Sequence, residues 1–476
     1  MQLAGHKHRH CHTATRPLTR RSGGTLLLLN CNCHWNAENS FSVEFLFAQP
    51  NDGVGLDHRC PRAVHQLCRR ANGSALRVDN GKYQEDISQR HSLLSAALVL
   101  PLQLDWLKAH NASHELHNVT TADGYQLQLQ RLPRPGARAV LLVHGLLGSS
   151  LGWVCLGPAK SLAFQLHQLQ YDVWLANLRG AYPHGRQHIE LTDVMDEFWS
   201  FSFHEHGAYD LPAIIDHMAE VTGSEQQSGE ADREAPTRQV LLIGHSQAFN
   251  AFLVLCSLHP RFNQRIQLMQ ALAPLSRLHR QVRFDAAQVR SLMKFVKKRQ
   301  KSSKFELFPP GYLRKLCQRK HEQCEYYTKQ YAGSAKSNKK LLEAFNYEHL
   351  LQGGSAREIK HLQQIWKSGD FIAYDYGPMQ NMKIYNGVEA LRYNLSRISV
   401  PTILYFGETD AIATPEGVHA IYAQMMNSVR SVKRIESPKF NHFDFLVAGE
   451  VKTLVNDKLI ELMEKFLEGK LSYIIE

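Results

Sequence analysis

A serine hydroxyl becomes a working nucleophile only when a base removes its proton, and that base needs an acid to fix its tautomer. One serine in this chain sits in a setting suited to the task. Gly244-His245-Ser246-Gln247-Ala248 follows the apolar run 240–243 and leads into a second apolar run, 249–258. A strand, a serine with small residues two before and two after it, and then a helix make a tight turn. Such a turn forces the serine into an unfavourable backbone region and lifts its hydroxyl clear of the sheet. Ser246 is the candidate nucleophile.

The base and the acid are sought downstream, at the ends of strands. A strand expected over 402–406 ends in Gly407-Glu408-Thr409-Asp410, and one over 431–435 leads to Asn441-His442-Phe443-Asp444. Asp410 and His442 each lie just past a strand's C-terminal end, where open α/β sheets collect their active groups. Among 26 histidines His442 is singled out by this position alone. Glu408 stands as an alternative acid. Asp444 reads as a local ion-pair partner, since a carboxylate two residues from the histidine need not point at its ring.

Attack on an ester carbonyl builds negative charge on oxygen, which fixed N–H donors must stabilise. The backbone of Gln247, directly after the nucleophile, is one candidate donor. The loop His144-Gly145-Leu146-Leu147-Gly148 follows a buried run at 139–143 and offers Leu146 as the second. Together these residues describe a serine ester hydrolase working through an acyl-enzyme, with no metal or cofactor required.

These groups need a scaffold that brings strand ends to one edge. From about Asp105 the sequence predicts strands over 125–129, 139–143, 172–175 and 240–243, with helices over 161–169 and 209–218 between them and a polar loop over 224–237. Strands apolar on both faces, alternating with helices, argue for a parallel sheet covered on both sides. The chain order serine, acid, histidine is that of the α/β-hydrolase fold.

Charge narrows the partners. The formal net charge is +11, and the 47 residues from Lys294 to Lys340 alone hold fourteen Lys and Arg against three Glu. No helix-turn-helix or zinc-finger spacing accompanies them, so no nucleic acid is expected. No apolar run reaches the about 18 residues of a spanning helix. Nine cysteines include no CxxC pair, and four glycosylation sequons, at Asn72, Asn111, Asn118 and Asn394, suit a secretory route. The first 104 residues, with His6, His8, His10 and His12 near the start, read as an extension, disordered or concerned with targeting.

Several stretches together resemble the acid lipases, the gastric and lysosomal group. They are 144–149, Tyr171-Asp172-Val173-Trp174-Leu175, Asn177-Leu178-Arg179-Gly180, 197–203, Tyr209-Asp210-Leu211-Pro212, 244–247 and 441–445. The likeness runs from about Trp106 to the C-terminus. It implies an α/β-hydrolase with a mostly parallel sheet, helices on both faces and an inserted, mainly helical cap. It also implies a secreted or lysosomal enzyme acting on triacylglycerols or sterol esters at acidic pH, and it puts Ser246, Asp410, His442, Leu146 and Gln247 on the family's catalytic and oxyanion positions.

The expected division is 1–104 extension, 105–277 core, 278–376 cap and 377–476 core. The cap holds the basic run, which reads first as a solvated face and otherwise as a surface suited to anionic lipid, and Cys317 and Cys324, for which the resemblance implies a disulfide. Ala248 replaces the second glycine of the family's elbow. A lipase is favoured, with an esterase for small soluble esters or a catalytically silent lipid-binding relative as alternatives.

Overall fold

The computed structural model describes residues 112–226, 239–275 and 353–476, shorter stretches at 293–298 and 305–309, isolated positions near them, and the backbone of three N-terminal strands. The chain divides into two compact units, Met1–Glu85 and Asp86–Glu476. In the first unit β1 (Pro17–Thr19), β2 (Thr25–Trp35) and β3 (Phe41–Ala48) form an antiparallel sheet in that order. The alternation of Phe41, Val43, Phe45 and Phe47 is the period-2 signal that accompanies β3. The His6–His12 cluster, Cys317 and Cys324 lie outside the described residues.

The second unit is built on a ten-stranded sheet. Its N-terminal strands are β4 (Glu115–Thr120), β5 (Tyr125–Leu132), β6 (Ala139–Val143), β7 (Asp172–Leu175) and β8 (Gln187–His188). Then come β9 (Val240–His245) and β10 (Ile266–Leu272), a separate antiparallel pair of β11 (Glu306–Leu307) and β12 (Gly354–Ser355), and finally β13 (Thr402–Phe406), β14 (Val429–Arg434) and β15 (Ile474–Ile475). The spatial order is β15-β14-β13-β10-β9-β6-β7-β5-β4, with β8 on β5. From β7 to β15 every pair is parallel; β4, β5 and β8 join antiparallel.

Helices cover both faces, as runs apolar on both sides require. They are α1 (Leu162–Gln168), α2 (Leu211–Gln226), α3 (Ala248–Leu258), α4 (Ala356–Ser368), α5 (Pro378–Tyr385), α6 (Pro415–Gln424) and α7 (Asp457–Leu467). Val140 and Leu142 of β6 and Leu241 and Ile243 of β9 pack with Leu162 and Leu166 of α1 and Leu459 and Met463 of α7. Leu141, Val143 and Leu242 face the other way, onto Ile214 of α2 and Phe249 and Phe252 of α3. Successive strand residues thus feed opposite cores, and α3, buried through Ser257, is apolar all round because it lies inside one of them. Among the described residues no helix is long and apolar enough to cross a membrane.

The strands expected at 139–143, 172–175 and 402–406 have those bounds, whereas the first is longer, Tyr125–Leu132. The helix expected over 209–218 begins at Leu211 and continues to Gln226, into the stretch expected to be loop. Ser224, Glu225 and Gln226 carry no breaker, so the helix ends later than polarity alone suggested.

Candidate active site

Ser246 leaves β9 with φ +56°, a left-handed conformation that a serine adopts only when its surroundings enforce it. Its N–H donates to the Leu272 carbonyl at 2.9 Å, and its carbonyl accepts from the N–H groups of Phe249 at 3.1 Å and Leu275 at 3.3 Å. The neighbouring strand β10 and the first turn of α3 therefore hold the elbow. The turn also explains the small residues. A Cβ built on Gly244 would lie 2.9 Å from the Ala248 Cβ and 3.1 Å from Met269 Cε.

The notch beside the elbow has room for one methyl, and Ala248 supplies it. Ala248→Gly is therefore expected to change kcat/KM by less than about tenfold. The methyl it removes and the helix propensity it loses are each worth about 1 kcal/mol. Gly244→Ala forces its new Cβ to within 2.9 Å of the Ala248 Cβ and should lower soluble yield and activity, with partial recovery in the Gly244→Ala/Ala248→Gly double variant. Steady-state kinetics and thermal melts of the three variants check this. Full activity in Gly244→Ala would show that the elbow tolerates a second methyl.

The structure brings the three sequence-selected side chains together. His442 Nε2 lies 2.8 Å from Ser246 Oγ, and His442 Nδ1 lies 2.9 Å from Asp410 Oδ2. The other Asp410 oxygen accepts the N–H groups of Ile412 and Ala413, each at 2.8 Å, so the carboxylate is fixed from both sides. Asp410 is fully buried and His442 nearly so. Glu408 is exposed and faces Arg434 at 3.7 Å, away from the histidine.

The turn after β6 lies against the elbow. Gly148 N–H donates to the Gly145 carbonyl at 3.0 Å, with Leu147 left-handed at φ +60° between them. A Cβ on Gly145 would come within 2.8 Å of Ser246 Cβ and 2.9 Å of the His245 carbonyl. Only glycine permits this approach. Among the described residues, the backbone N–H groups of Leu146 and Gln247 are bound to no acceptor.

Comparison with known proteins places the chain among hydrolases of one fold. A family model described as the alpha/beta hydrolase fold matches residues 138–448, and one described as a partial alpha/beta-hydrolase lipase region matches 105–157. The chain is 35% identical to Lipase 1 of Drosophila melanogaster over 75% of its own length and 78% of that protein. It is 31% identical to human Lipase member K over 75% and 89%, and 30% identical to human gastric triacylglycerol lipase over 74% and 88%. The chain belongs to the acid lipase family. It is a carboxylic ester hydrolase of the α/β-hydrolase fold.

Around the three selected side chains this acid lipase carries supporting groups that sequence spacing did not single out. Asn441 Oδ1 accepts the His442 N–H at 2.8 Å, and His245 Nε2 donates to the His442 carbonyl at 2.9 Å. The loop bearing His442 is thus held at both backbone groups. His144 Nδ1 donates to the Gly145 carbonyl at 2.8 Å, and its Nε2 accepts the Leu178 N–H at 3.1 Å. Burial keeps both rings neutral, lowering His144 to about 4 and His245 to about 3. They act as fixed hydrogen-bonding struts. Their adjacency to Gly145 and Ser246 was the available signal.

Asp444 is a strut of a different kind. Its Oδ2 accepts the Asn441 N–H at 2.8 Å, and burial, with the charges of Asp410 and Glu450, pushes its carboxyl up to about 7. It therefore does not serve as the ion-pair partner that its position suggested. A carboxyl raised on folding stabilises the fold below its ordinary value, and that contribution is lost as pH rises through about 7. Asp444→Asn stays neutral throughout. Its Tm should fall less between pH 5 and pH 8 than the wild-type Tm, by about 2–5 °C. Parallel melting curves would refute this assignment.

Beside the turn after β6 lies a small apolar pocket lined by residues that include Leu146, Trp153, Phe443, Leu446 and Val447. The return of the chain to the sheet also reaches the site. Glu358, in the first turn of α4, accepts a hydrogen bond from Gln247 Nε2 at 2.6 Å.

Proposed function

We propose that this chain is a lipase that cleaves neutral lipid esters, triacylglycerols or sterol esters, through an acyl-enzyme on Ser246. His442 takes the Ser246 proton as the hydroxyl attacks the ester carbonyl, then passes it to the leaving alcohol. Asp410 holds the imidazole with Nδ1–H toward its carboxylate and stabilises the imidazolium that forms. The N–H groups of Leu146 and Gln247 receive the charge that builds on the carbonyl oxygen. Water then repeats the sequence and releases the acid.

The observation that carries this reading is the continuous contact from Ser246 through His442 to Asp410, at 2.8 and 2.9 Å, beside two N–H groups without an acceptor. The small apolar pocket next to that turn, about 20 Å³, suits the first carbons of an acyl group.

Residues 278–376 form the cap in this reading. Lys294, Lys297, Lys298, Lys315, Arg319 and Lys320 are exposed where described, which favours contact with anionic lipid surfaces. The exposed sequon asparagines Asn118 and Asn394 favour a secreted or lysosomal location.

A chain-length series of p-nitrophenyl esters, run beside an emulsified long-chain triacylglycerol, tests the substrate class. The expected result is kcat/KM rising with acyl length and efficient turnover of the emulsion. That turnover should be salt-sensitive when the surface is anionic, while the soluble ester is not. A preference for acetate with no emulsion activity would replace the lipase by a small-ester esterase.

A further inference from the structure

The cap root touches the oxyanion site at two points. Gly354 in β12 packs so closely on Leu147 that a Cβ there would lie 2.6 Å from Leu147 Cδ2, one residue from the Leu146 N–H. Four residues on, Glu358 turns inward and is 2% exposed. Its Oε2 accepts the Ser355 N–H at 2.7 Å, and its Oε1 accepts from Gln247 Nε2 at 2.6 Å. The first bond belongs to the capping box that starts α4. Capping explains nothing about the second, which spans 111 residues to the side chain directly after the nucleophile.

We propose that Glu358 is a positioning residue for the oxyanion hole, tethering the Gln247 side chain so that the Gln247 peptide stays aimed at the developing oxyanion. This rests on Ser246 as nucleophile and on the Gln247 N–H as oxyanion donor. The peptide that carries the Gln247 N–H is held at its Ser246 carbonyl by the N–H groups of Phe249 and Leu275, and the Gln247 side chain, at the N-cap of α3, adds an anchor from outside the elbow. Donors are effective when held by a surrounding shell, and a displacement of about 1 Å at such a site can cost about a hundredfold in rate.

The environment of Glu358 suits a neutral group. Burial, with Glu205 and Asp210 nearby, pushes its carboxyl up to about 8, against the lowering effect of its bonds from Gln247 and Ser355. His206 Nδ1, 4.0 Å from Oε1, is itself held neutral by burial and by the Arg179 charge. A glutamine can therefore replace Glu358. Its carbonyl accepts the Ser355 N–H and keeps the capping box, and its amide pairs with the Gln247 amide once that is turned. The turn would also use Gln247 Oε1, which is buried without a partner.

The test compares Glu358→Ala and Glu358→Gln in the full chain, reading kcat and KM on a soluble p-nitrophenyl ester, Tm, and the rate of labelling by a p-nitrophenyl phosphonate. The alanine variant should lose about tenfold to a hundredfold in kcat and in labelling rate, with KM within about threefold. The glutamine variant should stay within about threefold of wild type on every readout. An alanine variant with lowered Tm but wild-type kcat overturns the proposal and leaves Glu358 as a cap alone. Equal kcat losses in both variants also overturn it. If the alanine variant does not fold, Gln247→Ala cuts the same tether while keeping the N–H and must show the same kcat loss. Wild-type enzyme that the phosphonate fails to label at Ser246 would instead remove the nucleophile assignment on which the proposal rests.

Discussion

Purified Ser246→Ala enzyme is expected to lose about four to six orders of magnitude of kcat while keeping its fold. The substitution removes one buried oxygen whose bond is to His442, and alanine has no difficulty filling the space. His442→Ala should fall as far. The double variant should be no worse than either single one, because the groups act as one unit and their effects do not add. Residual hydrolysis should come from substrate binding and the N–H donors. Single-turnover ester hydrolysis with circular dichroism as the folding control decides the matter. Retention of more than about a tenth of wild-type turnover in Ser246→Ala would end the mechanism proposed above.

Gly145→Ala should be nearly as damaging without touching a reactive group. Its new methyl would sit 2.8 Å from Ser246 Cβ and 2.9 Å from the His245 carbonyl, and neither of these is the free end of a flexible side chain. Either the turn carrying Leu146 or the elbow carrying Ser246 must move. Both hold proposed catalytic atoms, so a loss of about a hundredfold or more in kcat/KM follows. Gly223→Ala is the matched control. Gly223 lies within α2 with nothing within 4 Å of its built Cβ, and alanine there should leave activity intact and raise Tm slightly. Equal kinetics for the two variants would show that the tight approach at Gly145 has no catalytic weight.

Much of this arrangement was legible from the residues. The elbow, the two strand ends and the oxyanion loop are local patterns, and each depends on a strand or helix boundary that apolar runs mark clearly. Thus Ser246, Asp410 and His442 could be chosen as candidates, while Glu408 stayed open as the acid until the structure placed Asp410 buried against His442 and Glu408 exposed beside Arg434. The struts were less legible. His245 gains its meaning from a backbone carbonyl met across the fold, and Asn441 and Asp444 from N–H groups one and three residues away in a loop whose turn the sequence does not print.

Glu358 is the sharpest case. Ser355-Ala356-Arg357-Glu358 fits a capping box, and that local explanation is correct for one carboxyl oxygen. The other oxygen answers to Gln247, which the sequence leaves in a separate motif. Its burial could not be read from a helix that otherwise carries Arg357, Lys360 and Lys367. The elongated helix α2 failed for the opposite reason, since polar residues alone do not stop a helix.

The distribution of the selected side chains along the chain bears on synthesis. Ser246 and His442 stand 196 positions apart, and β13, which leads to Asp410, joins the sheet beside β10 only after the chain has returned through β12. Parallel pairings of this separation form late, because the loop entropy must be overcome before the contacts repay it. A growing chain therefore presents Ser246, the proposed nucleophile, long before His442, the proposed base. In the mechanism proposed above, hydrolysis becomes possible only once the strands that lead to Asp410 and His442 have joined the sheet.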